Sequence, residues 1–274
     1  MNTRTTRPGE GPFTERTPRV AAARALTRRA GRQKAGRFLA EGAQAVREAL
    51  GWAAAGRGVV HELFLIAPTP ELETLAAAAG VPVSFVTERA AAGLSETVTP
   101  QGVVAVCGLV DVPLATALAG RPRLVAVLVG VSDPGNAGTV IRVADAAGAD
   151  AVILAGPAVD PHNGKCVRAS TGSLFHLPIA RAPVPEVLAG CRAAGLRLVA
   201  ADGHATDDLD SSRDVLADPI AWVFGSEAHG LPAEVTAELD HALRVPVYGA
   251  AESLNLATAA AVCLYATAWR QRVN

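Results

Sequence analysis

Five short apolar runs constrain this 274-residue chain more than any other feature: Leu124–Val129, Ala151–Ala155, Arg197–Ala201, 221–224 and 243–247. Each is continuous rather than alternating, the pattern of strands covered on both faces of a parallel sheet. Stretches of helical composition fall between them, near 137–147, 184–194 and 232–239. This predicts an α/β domain over 122–274, with ligands bound outside the carboxyl ends of the strands, where the loops gather. Upstream, 61–66 (HELFLI), 81–86 (VPVSFV) and 101–107 (QGVVAVC) read as further strands, with helices at 43–50 and 71–79. Strands alternating with helices make a second, smaller α/β unit over 19–110, and 111–121 reads as the linker. Residues 1–18, with three prolines and two glycines among polar residues, read as a disordered basic arm.

Charge separates the two ends of the chain. Residues 1–37 hold ten Arg or Lys against Glu10 and Glu15, a balance of +8 in a protein whose net charge is −1. A basic end on an acidic body points to a polyanionic partner, and to nucleic acid before membrane, because no amphipathic apolar face accompanies it. A solvated tail is the alternative in a chain with 23 Arg and 2 Lys. Arg24, Arg28, Arg29 and Arg32 are the candidate contacts. No apolar run approaches the roughly 20 residues needed to span a bilayer, and the N-terminus has no signal-like apolar core. Cys107, Cys166, Cys191 and Cys263 lack metal or redox spacing and read as buried thiols of a cytoplasmic protein. The six histidines form no metal motif, so no metal is expected.

Three stretches look out of place for a plain core. Gly130-Val-Ser-Asp-Pro-Gly-Asn136 ends a strand and opens a helix, yet it matches neither a dinucleotide fingerprint nor a P-loop. That weighs against a nucleotide-binding oxidoreductase. Arg142, in the second turn of that helix, is either functional or snorkelling from a half-buried face. Phe224-Gly-Ser-Glu-x-x-Gly230 runs from a strand into two glycines that permit close backbone approach or positive φ. Its Glu227 is a functional carboxylate or a helix-start charge. In Glu252-Ser-Leu-Asn255, capping of the last helix accounts for Ser253 but not for Asn255. Lys165 and Arg168 share a helix face with Ser170 nearby, suited to phosphate oxygens or to a solvated helix end.

Together, Asn136-x5-Arg142-x-Ala144, Phe224-Gly-Ser-Glu-x-x-Gly230, Val245-Pro-Val247 and Glu252-Ser-Leu-Asn255 closely resemble the three motifs of the SpoU/TrmH family of RNA ribose 2′-O-methyltransferases. The resemblance covers roughly 121–274. Residues 20–108 are similar, less strongly, to the ribosomal-protein-like substrate domain of relatives that modify large ribosomal RNA, with Phe38-Leu-Ala-Glu-Gly42 the most recognisable piece.

The resemblance implies a fold that periodicity does not predict, a C-terminal trefoil knot in the parallel-sheet domain. Knots are rare exceptions to the rules of chain connection. It also implies S-adenosylmethionine as cofactor, a homodimer, and RNA as substrate, 23S ribosomal RNA before transfer RNA, with antibiotic resistance as one known role of relatives. By carry-over, Arg142 acts at the ribose hydroxyl, Asn136 and Glu227 orient it, and Ser253 and Asn255 hold the reacting end. Cofactor contacts fall on Ala200, Ala201, Asp202, Gly203, Phe224, Gly225, Val245, Val247, Ser253 and Leu254. RNA contacts fall on the arginines above with Lys165, Arg168 and Ser170. A non-catalytic RNA-binding module would need the basic end but not Asn136, Arg142, Glu227, Ser253 and Asn255 together.

Overall fold

The computed structural model describes residues 11–272, and the chain divides into two units. The first comprises the residues up to Leu109 together with His162–Gly172; the second is Val110–Pro161 with Ser173 onward. In the first unit, α1 (Pro18–Ala25) and α2 (Arg29–Ala35) lead into β1 (Arg37–Glu41), α3 (Ala43–Ala54), β2 (Val60–Leu65), α4 (Pro70–Ala78), β3 (Val83–Phe85), α5 (Glu88–Ala92) and β4 (Val103–Gly108). The sheet order is β1-β4-β2-β3, antiparallel except for the β2–β3 pair. Proline opens α1 and α4, where its missing N–H costs no hydrogen bond.

Only part of the expected arm is tested by the structure, since residues 1–10 lie outside the described residues. Phe13 extends the open edge of β3: its N–H donates to Phe85 O at 2.7 Å and its carbonyl accepts from Thr87 N at 2.9 Å. Residues 13–18 are therefore structured, a correction to the arm as read from composition. An apolar Phe in a polar, proline-rich stretch was the available signal.

The second unit begins at Val110. Residues 111–121, expected as a linker, carry a bridge from Asp111 to Ile179 and the short helix α6 (Leu114–Ala117). There follow β5 (Leu124–Val129), α7 (Pro134–Ala147) and β6 (Ala151–Ala155). The chain then enters the first unit as α8 (Gly164–Ser170), an excursion no composition shift marks. It returns with β7 (Ile179–Ala182), α9 (Val184–Ala193), β8 (Arg197–Ala201), β9 (Asp207–Asp208), β10 (Ile220–Phe224), α10 (Ala233–Thr236), β11 (His241–Arg244) and α11 (Leu256–Arg272).

These seven strands form one sheet in the order β7-β6-β5-β10-β8-β11-β9, with every adjacent pair parallel. The inner strands β5, β6 and β10 are buried at every residue, which is why they read as unbroken apolar runs. One face packs Val125, Val127, Ile153, Leu198 and Val223 against Val187, Leu188 and Cys191 of α9. On α11, Thr267 is fully buried and accepts the indole N–H of Trp222 at 2.9 Å, so the one polar atom of that large side chain is satisfied. Alanine-rich α11 packs against α7, where small side chains allow close approach. All four cysteines are buried and outside any disulfide, and burial pushes the Cys191 and Cys263 thiols up to about 12.

Candidate active site

The chain runs outward along β5, β6 and β7 on one side, then resumes with β8 on the other side of β5 and later inserts β10 between the two. The crevice at such a reversal, outside the carboxyl ends of the strands, is where parallel sheets bind ligands. Here the ends of β5 and β10 meet through Glu227. Its Oε2 accepts from the N–H and hydroxyl of Ser132 at 3.3 and 3.4 Å, and its Oε1 from Asp133 N at 3.2 Å and Asn136 Nδ2 at 3.0 Å. Partial burial alone would push this carboxyl up. The bonds from Asn136, from its own backbone and from Ser132 and Asp133 outweigh that and hold it below its ordinary value. Glu227 is thus ionised and occupied as an acceptor.

That charge fixes the orientation of both neighbouring amides. A carboxylate only accepts, so Asn136 must turn its amide nitrogen toward Glu227 and its Oδ1 away. Asn136 Oδ1 then accepts from Asn255 Nδ2 at 3.1 Å, which leaves Asn255 Oδ1 for the N–H groups of Ala257 and Thr258 at 2.9 and 3.3 Å. Asn255 is therefore the N-cap of α11. The sequence pattern assigns that cap to Ser253 rather than Asn255; the helix starts two residues later than its composition implies, which reverses the assignment. Sequence reasoning also missed Asp133, which caps α7 through Asn136 N at 2.8 Å and sits before a first-turn proline. The Asp-Pro pair was the available signal.

The glycines of the Glu227 loop have separate reasons. A Cβ on Gly225 would lie 2.1 Å from the Gly230 carbonyl carbon, because the loop folds back and pairs Ser226 with Gly230. Gly230 has φ +65°. The close approach at Gly225 is thus to the chain itself.

Arg142 stands apart from this trio. It is exposed on α7, six residues beyond Asn136, so about 9 Å further along the axis and roughly 120° around it. Ser253 and Leu254 are exposed beside the cap. The residues expected around the cofactor come from three neighbouring strands: Ala200–Gly203 end β8, Phe224–Gly225 end β10, and Val245–Val247 follow β11. Leu243 O and Arg244 O already accept from Asp202 N and Leu209 N, so the apolar side chains Val247 and Leu254, 42% and 38% exposed, remain available there.

The candidate RNA contacts divide. Arg24, Arg28, Arg29 and Lys165 are exposed. Arg32 is 4% exposed and donates to Leu26 O and Thr27 O, both at 3.0 Å, so it ties the α1–α2 turn together and leaves the set of RNA candidates. Ser170 is likewise removed, being fully buried with its hydroxyl on Val167 O at 2.8 Å. Arg168 pairs with Glu41 at 3.2 Å. Among the described residues no group of three or more His, Cys, Asp or Glu is placed to hold a metal, and no helix is long and apolar enough to cross a membrane.

Comparison with known proteins gives this arrangement its relatives. Residues 123–265 match the SpoU rRNA Methylase family, and residues 17–105 match the MRM3-like substrate binding domain. The chain belongs to the SpoU family. It is 37% identical over 238 residues to the 23S rRNA (guanosine(2553)-2′-O)-methyltransferase RlmP of Bacillus subtilis, covering 85% of this chain and 89% of the relative. A 23S rRNA (uridine(2479)-2′-O)-methyltransferase of Streptomyces viridochromogenes is 41% identical over 147 residues, 52% of this chain and 51% of that one. Among solved structures, an AdoMet-bound rRNA methyltransferase from Sinorhizobium meliloti superposes with a TM-score of 0.82 at 34% identity, over 94% of this chain and 97% of that one. AviRb of Streptomyces viridochromogenes in complex with AdoMet gives 0.78 at 31% identity, over 94% and 99%.

Proposed function

We propose that this SpoU protein methylates a ribose 2′-hydroxyl of 23S ribosomal RNA in the cytoplasm, with S-adenosylmethionine as methyl donor. The observation that carries the reading is the Glu227–Asn136–Asn255 chain at the point where the sheet reverses, three polar residues from three distant segments holding one another in fixed orientation. The cofactor fits the neighbouring strand ends: apolar side chains at Val247 and Leu254, small residues at Ala201 and Gly203, and main chain from β8, β10 and β11 lie side by side. Asp202, Val245 and Ser253 complete that wall, whereas Ala200 and Phe224 are fully buried and lie behind it. When bound, S-adenosylmethionine supplies an electrophilic methyl group.

A ribose hydroxyl is a poor nucleophile, so the chain must hold it in attack geometry and stabilise the negative charge that develops on its oxygen. Arg142 does the second task. A guanidinium stays protonated in proteins, so Arg142 acts as a fixed cation beside the incipient alkoxide and the adjacent phosphate, and the proton passes to solvent. Asn136 and Asn255 position the ribose, with Glu227 locking both amides and Ser253 beside them. The C-terminal segment from Val245 onward is threaded as a trefoil knot. Two copies pair through the exposed stripe of α11, where Val262 is 39% and Trp269 68% exposed and Tyr265 packs edge-on against Trp269. Pairing brings Arg142 of one copy within reach of the asparagines of the other.

The test is incubation with radiolabelled S-adenosylmethionine and unmodified total RNA, mapping label by resistance to alkaline cleavage. One alkali-resistant linkage in 23S RNA is expected. Label on transfer RNA refutes the substrate, and absence of both label and cofactor binding refutes the enzyme.

A further inference from the structure

A cavity of about 360 Å³ opens on the first unit between the start of α3, the loop before β4 and the end of α8. That volume lies within the range that takes a small organic ligand. Its polar wall comes from Gln44, Thr97, Thr99, Gln101, Arg168 and Thr171. The carboxylate of Glu41 lies at the same cavity but is occupied, accepting from Thr97 Oγ1 and from Arg168 Nη1, each at 3.2 Å, and from Ser95 Oγ.

Charge and hydrogen-bonding capacity decide what fits. One cation already paired with one anion leaves little net charge, so a phosphate group gains nothing there. What remains is neutral. Gln101 Oε1 accepts from the Ala43 N–H at 3.2 Å and so Gln101 offers its amide hydrogens, and the Thr99 hydroxyl donates or accepts, while the Thr171 hydroxyl is committed to Arg168 O and Ala169 O at 3.4 Å. Gly42 preserves this arrangement, since its φ is +95° and a Cβ would approach Gln101 Oε1 at 3.2 Å. Neutral donors and acceptors around a nucleobase-sized space match the edges of an unstacked base, which is how proteins read single-stranded RNA. Between Thr97 and Thr99, Val98 is 100% exposed, an apolar surface on the same loop.

We infer that this cavity holds one unstacked nucleobase of the RNA substrate, an assignment that rests on the RNA-methylating reading above. Gln101 and Thr99 read the base edge, and the Arg168–Glu41 pair fixes α8 as the opposite wall. Arg168, whose sequence pattern suggests a phosphate ligand, thereby serves as part of a base pocket.

The test measures dissociation constants of the full chain for transcribed 23S ribosomal RNA and, in parallel, for S-adenosylmethionine. Thr99→Val/Gln101→Ala removes the reading groups, and Ala43→Leu fills the space with the side chains intact. Both are expected to weaken RNA binding about five- to twentyfold, the scale of one or two lost hydrogen bonds, with cofactor affinity within about twofold of wild type. RNA affinity unchanged in both variants overturns the pocket and leaves the methyltransferase reading standing. Failure of the wild type to bind any 23S RNA while it binds cofactor overturns the substrate reading and the pocket with it. An abasic scan of the bound RNA adds a direct signature: one abasic position should cost the wild type affinity and cost the double variant nothing, and uniform sensitivity at all positions refutes the inference.

Discussion

Replacing Asn136 with Asp changes one NH2 group into an oxygen and nothing else in shape, which makes it the sharpest probe of the Glu227–Asn136–Asn255 chain. The new carboxylate would face Glu227 Oε1 at the 3.0 Å now spanned by a hydrogen bond. At that distance two unit charges repel by roughly 1.4 kcal/mol at the dielectric of water and roughly 5.5 kcal/mol at an effective value of 20. Glu227 is exposed, so the lower figure governs, and loss of a donor to a carboxylate adds about 1.5 kcal/mol. Together these predict a fall in kcat/KM of about 10²-fold at alkaline pH.

The pH dependence is the more diagnostic readout. Like charges raise the upper titration of the carboxylate pair, because the second ionisation must place two negative charges side by side. Below that titration the shared proton restores an O–H donor to Glu227 in the place of the lost N–H, so the ratio of variant to wild-type activity should climb as pH falls from about 8 to about 5. In the wild type Glu227 is held low, so its contribution is complete above the ordinary carboxylate value and is lost only as pH falls through its depressed one. The wild-type profile over that window therefore owes nothing to this group. Tritium transfer from labelled cofactor at saturating RNA, measured across the range beside Asn136→Ala, decides the matter. A ratio independent of pH, or a variant within twofold of wild type throughout, would refute the reasoning.

Arg142→Lys should lower kcat about 10²-fold, as removal of one charge-stabilising donor does elsewhere, without recovery at high pH. Recovery above about pH 9 would instead mark this residue as the base. Arg24→Ala/Arg28→Ala/Arg29→Ala should weaken RNA binding and reduce the slope of log affinity against log salt by about 2–3, whereas Arg32→Ala should lower Tm and leave the slope unchanged. Thr267→Val leaves the buried indole N–H of Trp222 without its partner, at a cost of about 1–3 kcal/mol read as a lower denaturant midpoint; an unchanged midpoint would mean that the bond contributes nothing. On the proposed pairing through α11, Trp269→Glu should give a monomer in light scattering where the wild type gives a dimer, and should abolish methylation while cofactor binding persists in part; a monomeric wild type would refute that pairing.

What was legible depended on whether the physical cause is local. The parallel sheet could be read because a strand covered on both faces must be apolar at every position, as β5 and β10 are. The unusual residues at strand ends could be read for the complementary reason, that nothing in a core calls for Asn136, Glu227 or Asn255. The failures among the charged candidates are of partnership. Arg24 and Arg32 are the same residue type eight positions apart, and only the carbonyls left unpaired at the α1–α2 turn decide that one is buried and the other exposed. Arg168 and Ser170 carried the pattern of a phosphate site, yet Arg168 is claimed by Glu41, 127 positions away, and Ser170 is buried on its own helix.

Asn255 shows the same limit at the candidate active site itself. As a helix cap it has a local explanation, and as a ligand of Asn136 it has a distant one, and the two use opposite ends of a single amide. Substitution by Asp keeps the cap, because a carboxylate at a helix N-terminus accepts the same N–H bonds and suits the dipole. It loses the donor to Asn136 Oδ1 and sets a carboxylate oxygen against that acceptor, on the exposed side of the cap. Asn255→Asp should therefore leave Tm at or above the wild-type value while activity falls. Asn255→Ser, which also caps, should separate the functions in the same direction. If stability and activity fell together in both variants, the cap and the site would be one function rather than two held by one side chain.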